Sequence, residues 1–189
     1  MKADFNIAIR WGIIGGIVMA MMAVLTYMFY EFFFGSFMVQ IIYGLLSFGL
    51  MLFFPVWGGV AYKRSADAPV TYLQAFAAVF TIFALIMLFS SVTSYIINHV
   101  IDPNYGTMLK EYVINNTTSF MERQGMSDEQ IEEAVKKNFN TDQFDFSLLN
   151  ILKGLGKGLA FGAVLSLIVA IFVRRPTGNT LAQEVENIQ

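Results

Sequence analysis

Four runs of apolar residues organise the chain: Trp11 to Phe34, Phe37 to Tyr62, Tyr72 to Ile97 and Leu148 to Val173. A helix needs about 20 such residues to cross the hydrocarbon core of a bilayer, and each run reaches that length. Between the third and fourth runs lies one long polar stretch, Asp102 to Ser147, and a polar segment, Pro176 to Gln189, closes the chain. The pattern predicts an all-α membrane protein with four transmembrane helices and a helical-hairpin extramembrane insert between the third and fourth. Residues 1–101 would hold the first three spans, 102–147 the insert, 148–175 the fourth span and 176–189 a flexible polar tail. The first run is longer than the roughly 7 to 15 residues of a signal-peptide core and passes at once into a second apolar run, so it is expected to be a retained span.

Local signals set the boundaries. Only Gly35 and Ser36 separate the first two runs, which predicts a tight helical hairpin, and Pro55 with Gly58 and Gly59 should distort the end of the second. Thr71 and Gln74 have capping-box spacing at the start of the third span. In the insert, Asp102 followed by Pro103 reads as an N-cap with proline at the first helical position, and Tyr105, Met108, Leu109, Tyr112, Val113 and Phe120 recur at helical spacing up to a stop near Gly125. Ser127 with Gln130 gives a second capping box, ahead of a short stripe of Ile131, Ala134 and Val135.

Composition agrees with the pattern: 56% of the 189 residues are hydrophobic and 14% charged, on the membrane side of ordinary globular usage. No cysteine is present, which removes disulfides, thiolate metal sites and cysteine nucleophiles. A net charge of -2 with basic residues in scattered pairs predicts no nucleic-acid partner. Arg10, Lys63, Arg64, Arg174 and Arg175 fall on one side of the four spans, against Lys110, Arg123, Lys136, Lys137, Lys153 and Lys157 on the other. The arginines abutting span ends weigh most, and the insert holds nine acidic against four basic residues. Both termini are therefore expected in the cytoplasm and the insert on the outer side of a bacterial inner membrane. Trp11, Trp57, Tyr62 and Tyr72 would mark one interface and Tyr27, Tyr30 and Tyr95 the other.

Candidate chemistry is sparse. The third run carries a seam of Gln74, Thr81, Leu88 and Tyr95 beside Ala77, Ala84, Ser91 and Asn98, mostly small or polar. In lipid such residues mark helix contacts, so Ala84 and Ser91 are expected to face protein, and Phe80 and Met87 to face lipid. The alternative is a polar pathway through Ser91, Ser94 and Asn98, joined by Gln40 and Ser47 of the second span. Two stripes at four-residue spacing, Ala8, Gly12, Gly16 and Ala20 on the first span and Gly154, Gly158, Gly162, Ser166 and Ala170 on the fourth, predict close helix approach, against each other or in a homodimer. Glu31 and His99 could pair near span ends to bind a cation or sense pH, or simply sit hydrated at the interface without a role, and Lys153 with Lys157 could hold an anion or a lipid phosphate, or simply snorkel. Paired-His zinc motifs, a nucleophile elbow, a Gly-rich phosphate loop and paired intramembrane aspartates are missing from the sequence.

The Tyr62-Lys63-Arg64 exit, the Thr71-Tyr-Leu-Gln-Ala-Phe76 start of the third span and the Ile101-Asp-Pro-Asn-Tyr105 opening of the insert, in that order, resemble a bacterial membrane family catalogued as domain of unknown function 4199. The likeness runs from about Phe5 to Arg175 and implies a multi-pass topology, with no activity or site residues to carry over. The expected role is a noncatalytic assembly or interaction protein, without cofactor or metal, whose partners are the lipid bilayer and a second copy or another membrane protein. The rival role is a small-solute or ion transport element using the seam of the third span.

Overall fold

A computed structural model describes residues 4–66, 68–138 and 145–174. Every regular element among them is helical: α1 Asn6–Met28, α2 Tyr30–Phe34, α3 Phe37–Arg64, α4 Tyr72–Ile96, a π-helical turn Ile97–Ile101, α5 Tyr105–Arg123, α6 Asp128–Asn138 and α7 Leu148–Val173. Four helices are long and apolar enough to cross a membrane: α1, α3, α4 extended through the π-helical turn, and α7. The sequence-predicted tail, 176–189, lies outside the described residues.

The local signals acted with two adjustments. The Thr71 hydroxyl accepts from Gln74 N at 3.3 Å while Gln74 Oε1 accepts from Thr71 N at 3.0 Å, the reciprocal capping box. Ser127 and Gln130 make the same pair of bonds at α6. Gly125 (φ 78°) stops α5, with Met126 N bonded to Met121 O and Gly125 N to Glu122 O, the two bonds of a Schellman stop. Asp102, expected as the N-cap of α5, instead accepts from Asn104 N in a turn, and the helix begins at Tyr105. The first span also ends earlier than predicted: α1 stops at Phe29 and the chain re-forms as the single turn of α2 before Gly35 and Ser36. α3 runs unbroken through the buried Pro55.

α4 is the hub of the bundle, packed by α1, α3 and α7. Its Ala75, Ala78, Val79, Ile82, Phe83 and Ile86 are wholly buried, sharing a core with Ala8, Phe54, Tyr62, Val70, Ala170 and Val173. Contact is made by large side chains of α4 and its neighbours set against glycines. A methyl group added at Gly12 would come within 2.6 Å of Leu85, at Gly16 within 2.7 Å of Phe89, at Gly58 within 2.6 Å of Ile82, and at Gly59 within 2.9 Å of Val79. Small residues let backbones approach, but the space they leave must be filled from the other side to keep dispersion contacts. The small and polar seam predicted on the third span is therefore not its principal contact face. Gln74, Leu88 and Tyr95 are exposed, and Ala77, Thr81, Ala84 and Ser91 only half-buried.

The two ends of the bundle differ. At the end holding Asn6, Arg64 and Val173 the helices close tightly, and Lys63 Nζ and Tyr72 Oη donate to the α7 carbonyls of Phe172 and Leu167. At the insert end α5 leans on α2 and the π-helical turn. There Tyr105 packs edge-on to Tyr27 (5.0 Å between ring centroids) and Tyr30 (6.4 Å), and Tyr112 packs on Tyr30 (5.4 Å). Ile97, Leu109 and Val113 complete this second core. The break at Phe29 serves it, since the chain turns there and carries Tyr30 toward α5. Carbonyls near the α2 end find donors in α5, Glu31 O from Tyr112 Oη and Phe34 O from Asn116 Nδ2.

Candidate functional site

Because α5 packs on the α1, α2 and α3 side of the insert end, a crevice of about 650 Å³ is left between the last turns of α4 and the first turns of α7. From α4 it is lined by Met87, Ser90, Ser91 and Ser94; from α7 by Asn150, Lys153, Gly154 and Lys157, with Asp145 and Phe146 at the mouth. Positions 150, 153, 154 and 157 recur at i, i+3, i+4 and i+7, so they share one helix face. Gly154 has no atom within 4 Å of an added methyl group, and its missing side chain keeps the space between the lysines open. Such volumes are in the range of small-ligand sites.

The site's polar groups are donors for the most part. The serine hydroxyls make no hydrogen bond among the described residues, whereas Ser166 and Thr81 donate back to their own helices at Gly162 O and Ala77 O. Neither Lys153 nor Lys157 forms an ion pair within 4 Å among those residues. Asp145 accepts from Ser147 N at 2.8 Å and from Asn150 Nδ2 at 2.6 Å. These Ser147 and Asn150 bonds, aided by the charge of Lys153, hold its carboxyl below the usual range. Asp145 thus orders the start of α7 and fixes Asn150, leaving two lysines and three hydroxyls facing the crevice.

A second cavity of about 400 Å³ adjoins the first, sharing Asp145 and Phe146 as wall; it is lined further by Asn98, His99, Pro103, Gly106, Thr107, Lys110 and Ser147. Asn98 sits in the π-helical turn, 7% exposed, and its Nδ2 donates to Ser94 O at 2.9 Å. Beyond Met87 the crevice stops, because Phe83 packs against Gly162 and Val79 and Val173 close on Gly59.

The predicted site residues are thus sorted. Ser91 and Ser94 line one cavity and Asn98 the next, while Gln40 of α3 donates to Phe34 O at the end of α2, and neither it nor Ser47, also on α3, lines either cavity. Gly12 and Gly16 lie against α4, as do Gly158 and Gly162, where an added methyl group would come within 3.0 Å of Met87 Sδ and 3.3 Å of Phe83 Cβ, so the stripes of α1 and α7 each meet α4 rather than each other. A methyl group at Gly154 would approach nothing within 4 Å among the described residues. Met87, expected to face lipid, faces α7, and half-buried Phe80 stacks on Phe76 at 5.7 Å. Glu31 and His99 do not pair: Glu31 lies near Tyr112, and His99 stacks on Tyr95 at 4.4 Å and lines the second cavity with Thr107 and Lys110. No group of three or more potential metal ligands occurs among the described residues. Ser90, Asn150 and Asp145 were missed by sequence reasoning; the shared face of Asn150, Lys153, Gly154 and Lys157 was the available signal.

No curated protein and no solved structure matches the chain. A family model described as "Protein of unknown function (DUF4199)" matches residues 10–175, the four candidate spans and the polar stretch between them, and the chain belongs to that family.

Proposed function

We propose that this multi-pass membrane protein is noncatalytic and holds a phosphate-bearing head group in the crevice between α4 and α7. The observation that carries this reading is the pairing of Lys153 and Lys157 with the Ser90, Ser91 and Ser94 hydroxyls around one open space of about 650 Å³. A phosphate ester offers acceptors and negative charge, the complement of five donor side chains. A solute pathway fits less well, since the half of the bundle beyond Met87 is filled by Val79, Ile82, Phe83 and Ile86, all wholly buried. The crevice lies at the insert end, which the arginine distribution would put on the outer face of a bacterial inner membrane with both termini inside.

The test is native mass spectrometry of the delipidated protein in mild detergent, titrated with phosphatidic acid and with phosphatidylcholine. Wild type is expected to retain the anionic lipid. The double variant Lys153→Gln, Lys157→Gln is expected to bind it roughly thirtyfold more weakly, from about 1 kcal/mol per lysine near a charged surface. Equal retention by both proteins sinks the reading.

Assembly with a second copy is the other role we propose, and one observation favours it. The first half of α3 presents Gly44 and Gly49, where an added methyl group would meet nothing within 4 Å, beside Ser47, whose buried Oγ lacks a partner among the described residues. The same spectra read stoichiometry, and a wholly monomeric protein in mild detergent counts against self-assembly.

A further inference from the structure

Asn98 is set apart from the other polar residues of α4. Its amide nitrogen is committed to Ser94 O, which fixes the side chain's orientation, and its Oδ1 has no hydrogen-bond partner among the described residues although the residue is only 7% exposed. Buried acceptors are nearly always paired, so one left in the wall of a cavity calls for a donor that the described residues do not supply. The π-helical turn puts it there: Asp102 N bonds Ile97 O across five residues, and the extra residue in the turn buries Asn98 while leaving His99 exposed.

A donor could be a hydroxyl or an ammonium, and the charges around the cavity separate the two. Lys110 from α5 and Asp145 from the segment leading into α7 both line it, with His99 from the π-helical turn, so the charges of Lys110 and Asp145 offset and the described wall offers no net negative charge to select an ammonium. Thr107 and Ser147 add side chains that both donate and accept. We infer that the second cavity takes the hydroxyls of a polyol esterified to the phosphate held in the first, so that the ligand is a phosphoglycerol head group. This rests on the reading of the Lys153 and Lys157 crevice as a phosphate site. The shared Asp145 and Phe146 wall lets one head group occupy both spaces.

The experiment titrates delipidated protein with short-chain phosphatidylglycerol, phosphatidic acid and phosphatidylethanolamine, and with soluble glycerol phosphate, reading bound fractions by native mass spectrometry. Wild type is expected to bind phosphatidylglycerol about tenfold more tightly than phosphatidic acid, which lacks the polyol. It should also bind that lipid at least about tenfold more tightly than soluble glycerol phosphate, whose acyl chains are missing. Asn98→Leu should abolish the preference over phosphatidic acid while leaving phosphatidic acid binding in place, and Thr107→Val should reduce it. Equal binding of the two anionic lipids by wild type, an unchanged preference in folded Asn98→Leu and Thr107→Val, or tighter binding of phosphatidylethanolamine overturns the polyol inference. Tighter binding of the soluble ester overturns the lipid source, and loss of phosphatidic acid binding by wild type overturns the underlying phosphate reading.

Discussion

Tyr105 illustrates how much a single side chain can depend on its surroundings. It begins α5, is 6% exposed, and lies against Tyr27 and Tyr30. Burial, followed by the neighbouring Tyr43, Tyr27 and Asp102, pushes its phenol from the ordinary 10.0 up to about 12. The folded state therefore keeps the proton that the unfolded chain releases near pH 10. The resulting stabilisation is complete below pH 10 and is lost as pH rises from 10 to about 12. Tyr105→Phe has no proton to lose, so its melting temperature should fall less than that of wild type across that window. Parallel curves from pH 9 to 12 would contradict the assignment.

At the scale of helices, α4 is held by the fit of its large residues to glycines on α1, α3 and α7. A methyl group added at Gly16 would come within 2.7 to 3.0 Å of the ring and Cβ of Phe89, whereas one added at Gly154 would meet nothing within 4 Å among the described residues. Gly16→Ala should therefore destabilise the bundle by about 1 to 3 kcal/mol through overpacking. Gly154→Ala should be neutral, or stabilising by up to about 1 kcal/mol from helix propensity alone. Thermal melts in one detergent compare the two, and equal losses would remove the distinction between contacting and open glycines. The same fit explains why Phe83, with no exposed surface, belongs to the core although its span is apolar on nearly every face. A helix surrounded on three sides has no single stripe for a periodic pattern to reveal.

At the scale of the molecule, Arg10, Arg64 and Arg174 gather at the closed end of the bundle, and the lysines of the crevice at the insert end. If the arginines mark the cytoplasm, α5 and α6 face outward. The chain has no cysteine, so single cysteines can report sidedness at two exposed positions, Asn115 in α5 and Ala68 in the α3 to α4 connection. An impermeant thiol reagent on intact cells should label residue 115 and spare 68. The opposite pattern reverses the orientation.

The four spans, the capping boxes at Thr71 and Ser127, the stop at Gly125 and the family likeness were legible in the sequence, because each depends on residues close together in the chain or on the length of an apolar run. The break at Phe29 was not, since the tyrosines that reward it come from α5, 75 residues later in the case of Tyr105 against Tyr30. The face of α4 was misjudged for a related reason: small residues announce close approach, yet which large side chain fills the gap is settled by the partner helix. The candidate site was half legible. Lys153, Lys157, Ser91, Ser94 and Asn98 could be named from composition and spacing. That Asp145 fixes Asn150 beside the lysines, that Gly154 opens space instead of closing it, and that the half of α4 beyond Met87 is sealed depended on how α4 and α7 diverge at one end and meet at the other, which only tertiary packing decides.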